Sequence, residues 1–136
     1  GQERALRLAL ANAGVAAADL VHVNAHATST PAGDGVEATA IRRALGADAD
    51  HVAVSATKSM TGHLLGGAGA LESLLTVLAV HHHTAPPTIN VTDPEPDLEI
   101  DLVRDTPREL PEGQIAAVNN AFGFGGHNVA LVVASA

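Results

Sequence analysis

The chain contains no cysteine, no tryptophan and no tyrosine, and only two phenylalanines among its 136 residues. Without cysteine it can form no disulfide, no thiolate nucleophile and no cysteine-based zinc site of its own. A core with almost no aromatic rings has to be filled by aliphatic side chains, which suits closely layered helices and sheet. The composition therefore predicts a compact α/β unit.

Basic side chains are also scarce, since seven Lys and Arg stand against fifteen Asp and Glu and give a formal net charge of −8. Nucleic acids and anionic membranes bind to basic surfaces, so neither is expected as a partner. No apolar run approaches the roughly 20 residues of a membrane span, and no secretory signal opens the chain. We expect one domain, residues 1–136, that is cytoplasmic and not inserted in a membrane. The start in mid-helix without methionine indicates a fragment.

Apolar periodicity and turn residues predict the order strand, helix, strand, helix, strand, strand after a first helix. The predicted helices are Gln2–Ala13, a second from about Asp34 to Leu45, and a buried third from about Gly67 to His83. The predicted strands are Leu20–Asn24, His51–Ala56, Gln114–Asn119 and Asn128–Ala134, with short ones at Thr88–Val91 and Leu98–Val103. Asp34 and Glu37, three residues apart, predict a capping box at the start of the second helix.

The third predicted helix is apolar on nearly every side except for one narrow polar stripe of Glu72, Ser73 and Thr76. A buried carboxylate needs a partner. Lys58 lies just upstream, in a turn rich in serine and threonine, and we predict that it forms an ion pair with Glu72. The spacing equally allows a solvated lysine and a surface glutamate near a helix start.

Two of the eight histidines occupy positions typical of reactive groups in α/β proteins, because His26 ends a strand and His63 directly precedes the buried helix. Two neutral imidazoles aimed at one carbonyl could donate hydrogen bonds to an enolate or a tetrahedral oxyanion. A nearby lysine would disfavour their protonation. The alternative for either residue is a core histidine whose nitrogens are satisfied by the backbone.

No metal or nucleotide cofactor is expected. The consecutive residues His81, His82 and His83 would point about 100° apart on a helix, so they cannot chelate one ion. A zinc site made of His26, His63 and Glu72 is conceivable but lacks the HExxH spacing. The glycine-rich segments lack the features of a P-loop or a dinucleotide fingerprint.

Four segments together resemble one family, the elongating β-ketoacyl-acyl-carrier-protein (ACP) synthases of the thiolase superfamily. They are VNAHATSTPAGD around His26, ATKSMTGHLLGGAGALES from Lys58 to Glu72, PPTIN at residues 86–90, and NNAFGFGGHN at residues 119–128. The chain is most similar to the C-terminal half of the type II synthase, and its high alanine content resembles actinobacterial members. The resemblance implies an α/β chain that forms one half of a thiolase-like fold.

The same resemblance implies an acyltransferase of fatty-acid synthesis that condenses an acyl-enzyme with malonyl-ACP, releasing carbon dioxide and giving 3-oxoacyl-ACP. His26 and His63 would bind the malonyl thioester carbonyl and stabilise the enolate. Lys58 would support His63 and pair with Glu72. The acyl-carrying cysteine would lie in the missing N-terminal half, so this chain alone is expected to be inactive.

By the same analogy Phe124 would be the mobile gate of the acyl pocket, and its backbone N–H would form part of an oxyanion hole. Thr28 and Thr30 would support the site. The implied partners are acyl-ACP, malonyl-ACP, the N-terminal half and a second subunit in a homodimer. Alone, the chain would expose an apolar face and is expected to self-associate. The alternative is a cysteine-free partner subunit similar to the chain-length factors of polyketide synthases, although those commonly lose the other catalytic residues as well.

Overall fold

A computed structural model describes all residues, 1–136, as a mixed α/β domain. The helices are α1 (Gln2–Ala13), α2 (Gly33–Leu45), α3 (Lys58–Thr61) and α4 (Ala68–His81). The strands are β1 (Leu20–Asn24), β2 (Ala53–Ser55), β3 (Thr84–Ala85), β4 (Asp101–Leu102), β5 (Arg108–Glu109), β6 (Ala116–Gly123) and β7 (His127–Ala134).

Five strands form the main sheet in the order β4-β2-β1-β6-β7. The first four run parallel to one another, and β7 returns antiparallel to β6 as a hairpin. The predicted succession of strands and helices is confirmed, because parallel strands need helical crossovers between them. Carboxyl ends of β1 and β2 therefore lie at one edge of the sheet, where α/β proteins place their sites.

The structure corrects several predicted boundaries. Residues 88–91 do not form a strand and make only an isolated bridge from Thr88 to Arg104. The segment predicted as Leu98–Val103 shortens to β4, since its surroundings are rich in proline and acidic residues. The small antiparallel pair β3 and β5 and the one-turn helix α3 were not predicted from the sequence.

Aliphatic side chains form a core on each face of the sheet. On one face, α1 and α2 contribute Leu6, Leu10 and Ile41, which pack with Val23 of β1. On the other face, Val80 of α4 joins a second cluster around β2, β3 and β6. Packing of this kind follows from the near absence of aromatic residues.

Helix α4 is oriented opposite to the usual amphipathic arrangement. Its polar residues Glu72 and Thr76 are buried against the sheet, whereas Leu74, Val77 and Leu78 are exposed by 55%, 46% and 41%. The expected complete burial of this helix is thus found on one face only. None of the helices combines the length and apolar character needed to cross a bilayer.

Candidate active site

His26 and Lys58 follow the neighbouring parallel strands β1 and β2 and so meet at the same edge of the sheet. The Lys58 Nζ atom lies 3.3 Å from His26 Nδ1. Because an ammonium group can only donate hydrogen bonds, Nδ1 must be the acceptor, and the neutral ring carries its proton on Nε2. His26 is thereby fixed as an Nε2–H donor.

The Lys58–Glu72 ion pair predicted from the sequence is present. Lys58 Nζ is 2.6 Å from Glu72 Oε1, and the two side chains are only 5% and 2% exposed, so the solvated alternative is wrong. The lysine was expected to support His63, but its ammonium group contacts His26 instead. The reason is geometric: Lys58 begins α3 directly beside the end of β1, while His63 lies beyond the far end of that short helix.

The environment of His26 keeps its ring neutral. Partial burial, the charge of Lys58 and the proximity of His63 lower the pKa of His26 from 6.5 to about 4. A neutral imidazole can act as a hydrogen-bond donor without introducing a second positive charge beside Lys58. The side chain is therefore suited to stabilising a developing oxyanion at neutral pH.

His63 is exposed, and its ring centroid lies 5.6 Å from that of His26 in an edge-on arrangement. The backbone N–H of Leu65 donates to His63 Nδ1 over 3.2 Å, which leaves the ring proton on Nε2. Gly62, with φ 70° and ψ −179°, adopts a conformation open essentially only to glycine and turns the chain from α3 towards His63. The two imidazoles singled out from the sequence are thus brought together.

A third ring in this cluster was not predicted from the sequence. Phe122, on β6, lies with its ring centroid 5.7 Å from that of His26. Phe124, the residue expected to act as a gate, is 102% exposed and directly precedes Gly125, which has a φ of 75°. Recognising that β6 extends to Gly123 would have placed Phe122 inside the strand and beside the histidine.

The capping box predicted for α2 is wrong. The helix begins at Gly33, and Asp34 Oδ1 accepts a hydrogen bond from the N–H of Ser29 instead of capping the helix. Thr30 Oγ1 accepts from the N–H of Gly33, and Thr28 is half-buried in the same loop. These contacts place both threonines in the loop that follows His26, and their supporting roles stay predictions.

The carboxylate of Glu37 anchors that loop through backbone hydrogen bonds. It accepts the backbone N–H groups of His26 and Ala27, both at 2.8 Å, and the side-chain amide of Asn120 at 3.1 Å. Burial raises the pKa of Glu37, while these hydrogen bonds oppose the rise. Ala27 and Ser29 have φ values of 30° and 60°, which are strained for non-glycine residues, so the loop needs such anchors.

Buried amides and hydroxyls explain why α4 turns its polar stripe towards the sheet. Asn24 donates to the Glu72 carbonyl oxygen over 3.2 Å and accepts from Thr57 Oγ1 over 3.0 Å. Asn119 donates to Ser73 Oγ over 3.1 Å. This layer pairs several of the buried polar groups near the ion pair, whereas Glu72 Oε2 and Asn119 Oδ1 are buried without a hydrogen-bond partner.

The triplet of histidines lies elsewhere, at the end of α4. His81 and His82 stack edge-on with centroids 4.7 Å apart, and His83 Nδ1–H donates to the Pro111 carbonyl oxygen. No group of three His, Cys, Asp or Glu side chains is placed to hold a metal ion. The three rings therefore do not converge on one point.

The fold is that of a thiolase-like ketosynthase domain. Residues 1–92 match the family described as "Beta-ketoacyl synthase, C-terminal domain". The chain belongs to this family.

Curated relatives agree with that assignment. The chain is 48% identical over 131 residues to 3-oxoacyl-[acyl-carrier-protein] synthase 2 of Synechocystis sp., a match that covers 96% of the chain and 31% of the relative. It is 47% identical over 128 residues to the protein of the same name from Coxiella burnetii, covering 94% of the chain and 30% of that relative. The chain thus spans a little under one third of the length of the curated relatives it matches.

Solved structures show the same fold. The ishigamide ketosynthase/chain length factor superposes with a TM-score of 0.92 at 35% identity, over 100% of this chain and 33% of that one. The ketosynthase AntDE, in complex with the type II polyketide synthase acyl-carrier protein AntF, superposes with a TM-score of 0.90 at 31% identity, again over 100% and 33% of the two chains.

Proposed function

We propose that this chain is the C-terminal part of a 3-oxoacyl-ACP synthase and supplies the decarboxylating side of its active site. The observation that carries the proposal is the pair of imidazoles of His26 and His63, whose Nδ1 atoms both accept hydrogen bonds. Two Nε2–H groups are then free to donate to one thioester carbonyl oxygen.

The proposed reaction begins on a malonyl thioester carried by ACP. Cleavage of the bond to the malonyl carboxylate releases carbon dioxide and leaves the electron pair as a thioester enolate, whose oxygen accepts hydrogen bonds from His26 and His63. The enolate carbon attacks the acyl carbonyl held on a cysteine and expels the thiolate. The negative charge of the carboxylate thus ends on sulfur, and 3-oxoacyl-ACP is formed.

Lys58 has an electrostatic role in this scheme. Its ammonium group, paired with Glu72, keeps His26 neutral and oriented.

No cysteine is present among the 136 residues, so the acyl-carrying nucleophile has to come from another part of the complete protein.

Phe124 is proposed as the acyl gate, with its backbone N–H in the oxyanion hole for the acyl carbonyl. Its full exposure and the left-handed glycine that follows support a movable position. Thr28 and Thr30 are proposed to support the site from the loop that follows His26.

Acyl-ACP and malonyl-ACP are the proposed partners, supported by the likeness to a ketosynthase in complex with an acyl-carrier protein. The homodimer and the cytoplasmic location remain predictions. The chain-length-factor alternative draws on the likeness to a ketosynthase/chain length factor pair. The intact His26, Lys58 and His63 cluster favours the active synthase.

The test uses the full-length protein that contains this chain. His63→Ala should lower malonyl-ACP decarboxylation by about 100-fold or more, because one of two oxyanion donors is lost, while the cysteine still accepts an acyl group. His51→Ala, which replaces an exposed histidine outside the cluster, serves as the matched control. Unchanged decarboxylation in His63→Ala would refute the assigned role.

A further inference from the structure

The segment Pro86–Asn90, called the strap below, has no part in the chemistry proposed above. It leaves α4 through β3 and passes over the turn that joins β2 to α3. That turn carries Lys58 as the first residue of α3. The strap therefore contacts the short stretch of backbone that determines where the lysine ammonium group lies.

Hydrogen bonds from the strap bracket Lys58 on both sides. Thr88 Oγ1 accepts the N–H of Ala56 over 2.9 Å, two residues before the lysine. The N–H of Ile89 donates to Ser59 Oγ over 3.0 Å, one residue after it. Ser59 Oγ in turn donates to the Ala56 carbonyl oxygen over 2.7 Å, so the residues before and after Lys58 are also bonded to each other.

The main chain of Thr88 is held independently of its hydroxyl group. Its N–H donates to the Val103 carbonyl oxygen over 2.8 Å, and its own carbonyl accepts from Asp105 over 3.1 Å. The N–H of Val103 in turn donates to the carbonyl oxygen of Val54 in β2. The strap would thus stay in place if the Thr88 hydroxyl were removed, and that hydroxyl can be tested separately.

We propose that Thr88 is a positioning residue for Lys58, acting through the Ala56 N–H to keep the lysine ammonium group between Glu72 and His26. This inference rests on the proposed function, because it assigns the strap a part in the same site. Thr88 is only 4% exposed. Losing its hydroxyl would remove the protein partner of the part-buried Ala56 N–H and let the turn shift.

The expected consequence is electrostatic and falls on His26. The groups that face His26 are the ammonium of Lys58, the ring of His63 and the carboxylate of Glu37, with Glu72 behind the lysine. Burial is the largest cause of the low pKa of His26, followed by the charge of Lys58 and then by His63. Moving the ammonium group away should therefore raise that pKa above about 4, while burial keeps it below 6.5.

The experiment compares Thr88→Val, which has the same shape without the hydroxyl, with Thr88→Ser, which keeps it. In the full-length protein, malonyl-ACP decarboxylation and cysteine self-acylation are measured across pH, and the His26 ring is titrated by NMR. For Thr88→Val we expect decarboxylation kcat to fall about ten-fold at unchanged KM, and its acid limb to move up by roughly half a pH unit or more. Self-acylation should be unaffected, and Thr88→Ser should restore the original profile.

Ser59→Ala gives a second, independent perturbation, since it removes the acceptor for the Ile89 N–H and should shift the His26 titration in the same direction. A uniform loss of both activities with an unmoved His26 titration would show a merely structural role and overturn the inference. Thr88→Ser behaving like Thr88→Val would overturn it as well. If the wild type does not decarboxylate malonyl-ACP, the proposed function fails, whereas the NMR titration still decides whether Thr88 positions Lys58.

Discussion

His22 provides a quantitative test of how this fold treats buried charge. It lies in the middle of β1, is fully buried, and donates its Nδ1–H to the Ala53 carbonyl oxygen over 2.9 Å. Burial lowers the pKa of His22 from 6.5 to about 4, although the hydrogen bond to Ala53 opposes the fall. Protonation of this ring should therefore be resisted by the folded chain.

The sign and size of the effect follow from linkage. Because folding lowers the pKa, the unfolded chain takes up the proton first as the pH falls, so stability is full above about pH 6.5 and is lost progressively towards pH 4. Each pKa unit corresponds to about 1.4 kcal/mol, which gives a loss of about 3 kcal/mol from His22 between about pH 7 and pH 4. His26 adds a smaller loss with the same sign, reduced by its partial exposure to solvent.

The free energy of unfolding is measured by urea denaturation at a series of pH values for the wild type and for His22→Asn. Asparagine can still donate to the Ala53 carbonyl oxygen but does not titrate. Its smaller size should cost stability at every pH, while about 3 kcal/mol of the loss between pH 7 and pH 4 should disappear. His51→Asn, at an exposed position, is the matched control. If His22→Asn lost stability on acidification as steeply as the wild type, the reasoning would be wrong.

Two further predictions concern the ion pair and the exposed face of α4. Glu72→Gln should lower the free energy of unfolding by about 3 to 5 kcal/mol, because it leaves the Lys58 ammonium group buried without a counter-charge. The double variant Lys58→Met/Glu72→Leu should lose less stability, because it removes both charges. Urea denaturation measures the free energy of unfolding of both variants. The chain alone should self-associate through Leu74, Val77 and Leu78, which sedimentation velocity would show, and Leu74→Lys/Leu78→Lys should weaken the association. A monomeric wild type at micromolar concentration would contradict the second prediction.

Those parts of the fold that depend on local pattern could be predicted from the sequence. The apolar spacing of α1 predicts its bounds, and Gly14, which ends the helix, adopts the left-handed conformation. The Lys58–Glu72 pair followed from the cost of burying a lone carboxylate, and the meeting of His26 with His63 followed from their places at a strand end and before a helix.

Contacts between distant segments were harder to predict. Glu37 has the spacing of a helix cap, yet its carboxylate binds backbone N–H groups of a loop about ten residues earlier, which no local pattern reveals. The choice of His26 over His63 as the neighbour of Lys58 depends on the parallel register of β1 and β2. Thr88 lies in a proline-rich connection, and its hydroxyl contacts Ala56, which is 32 residues away in the sequence. A contact of this kind produces no periodic pattern from which it could be predicted.

The hydrogen bonds at the two Nδ1 atoms also determine when the site is assembled. Both donors, Lys58 and the Leu65 N–H, belong to these 136 residues, so the orientation of the two rings depends on contacts within this chain. In the proposed reaction, the entropy of orienting the rings would then be lost during folding and not during catalysis. Nitrogen NMR of the isolated chain should already report both rings protonated at Nε2. The two histidines of the proposed site could then be studied without the part of the protein that carries the cysteine.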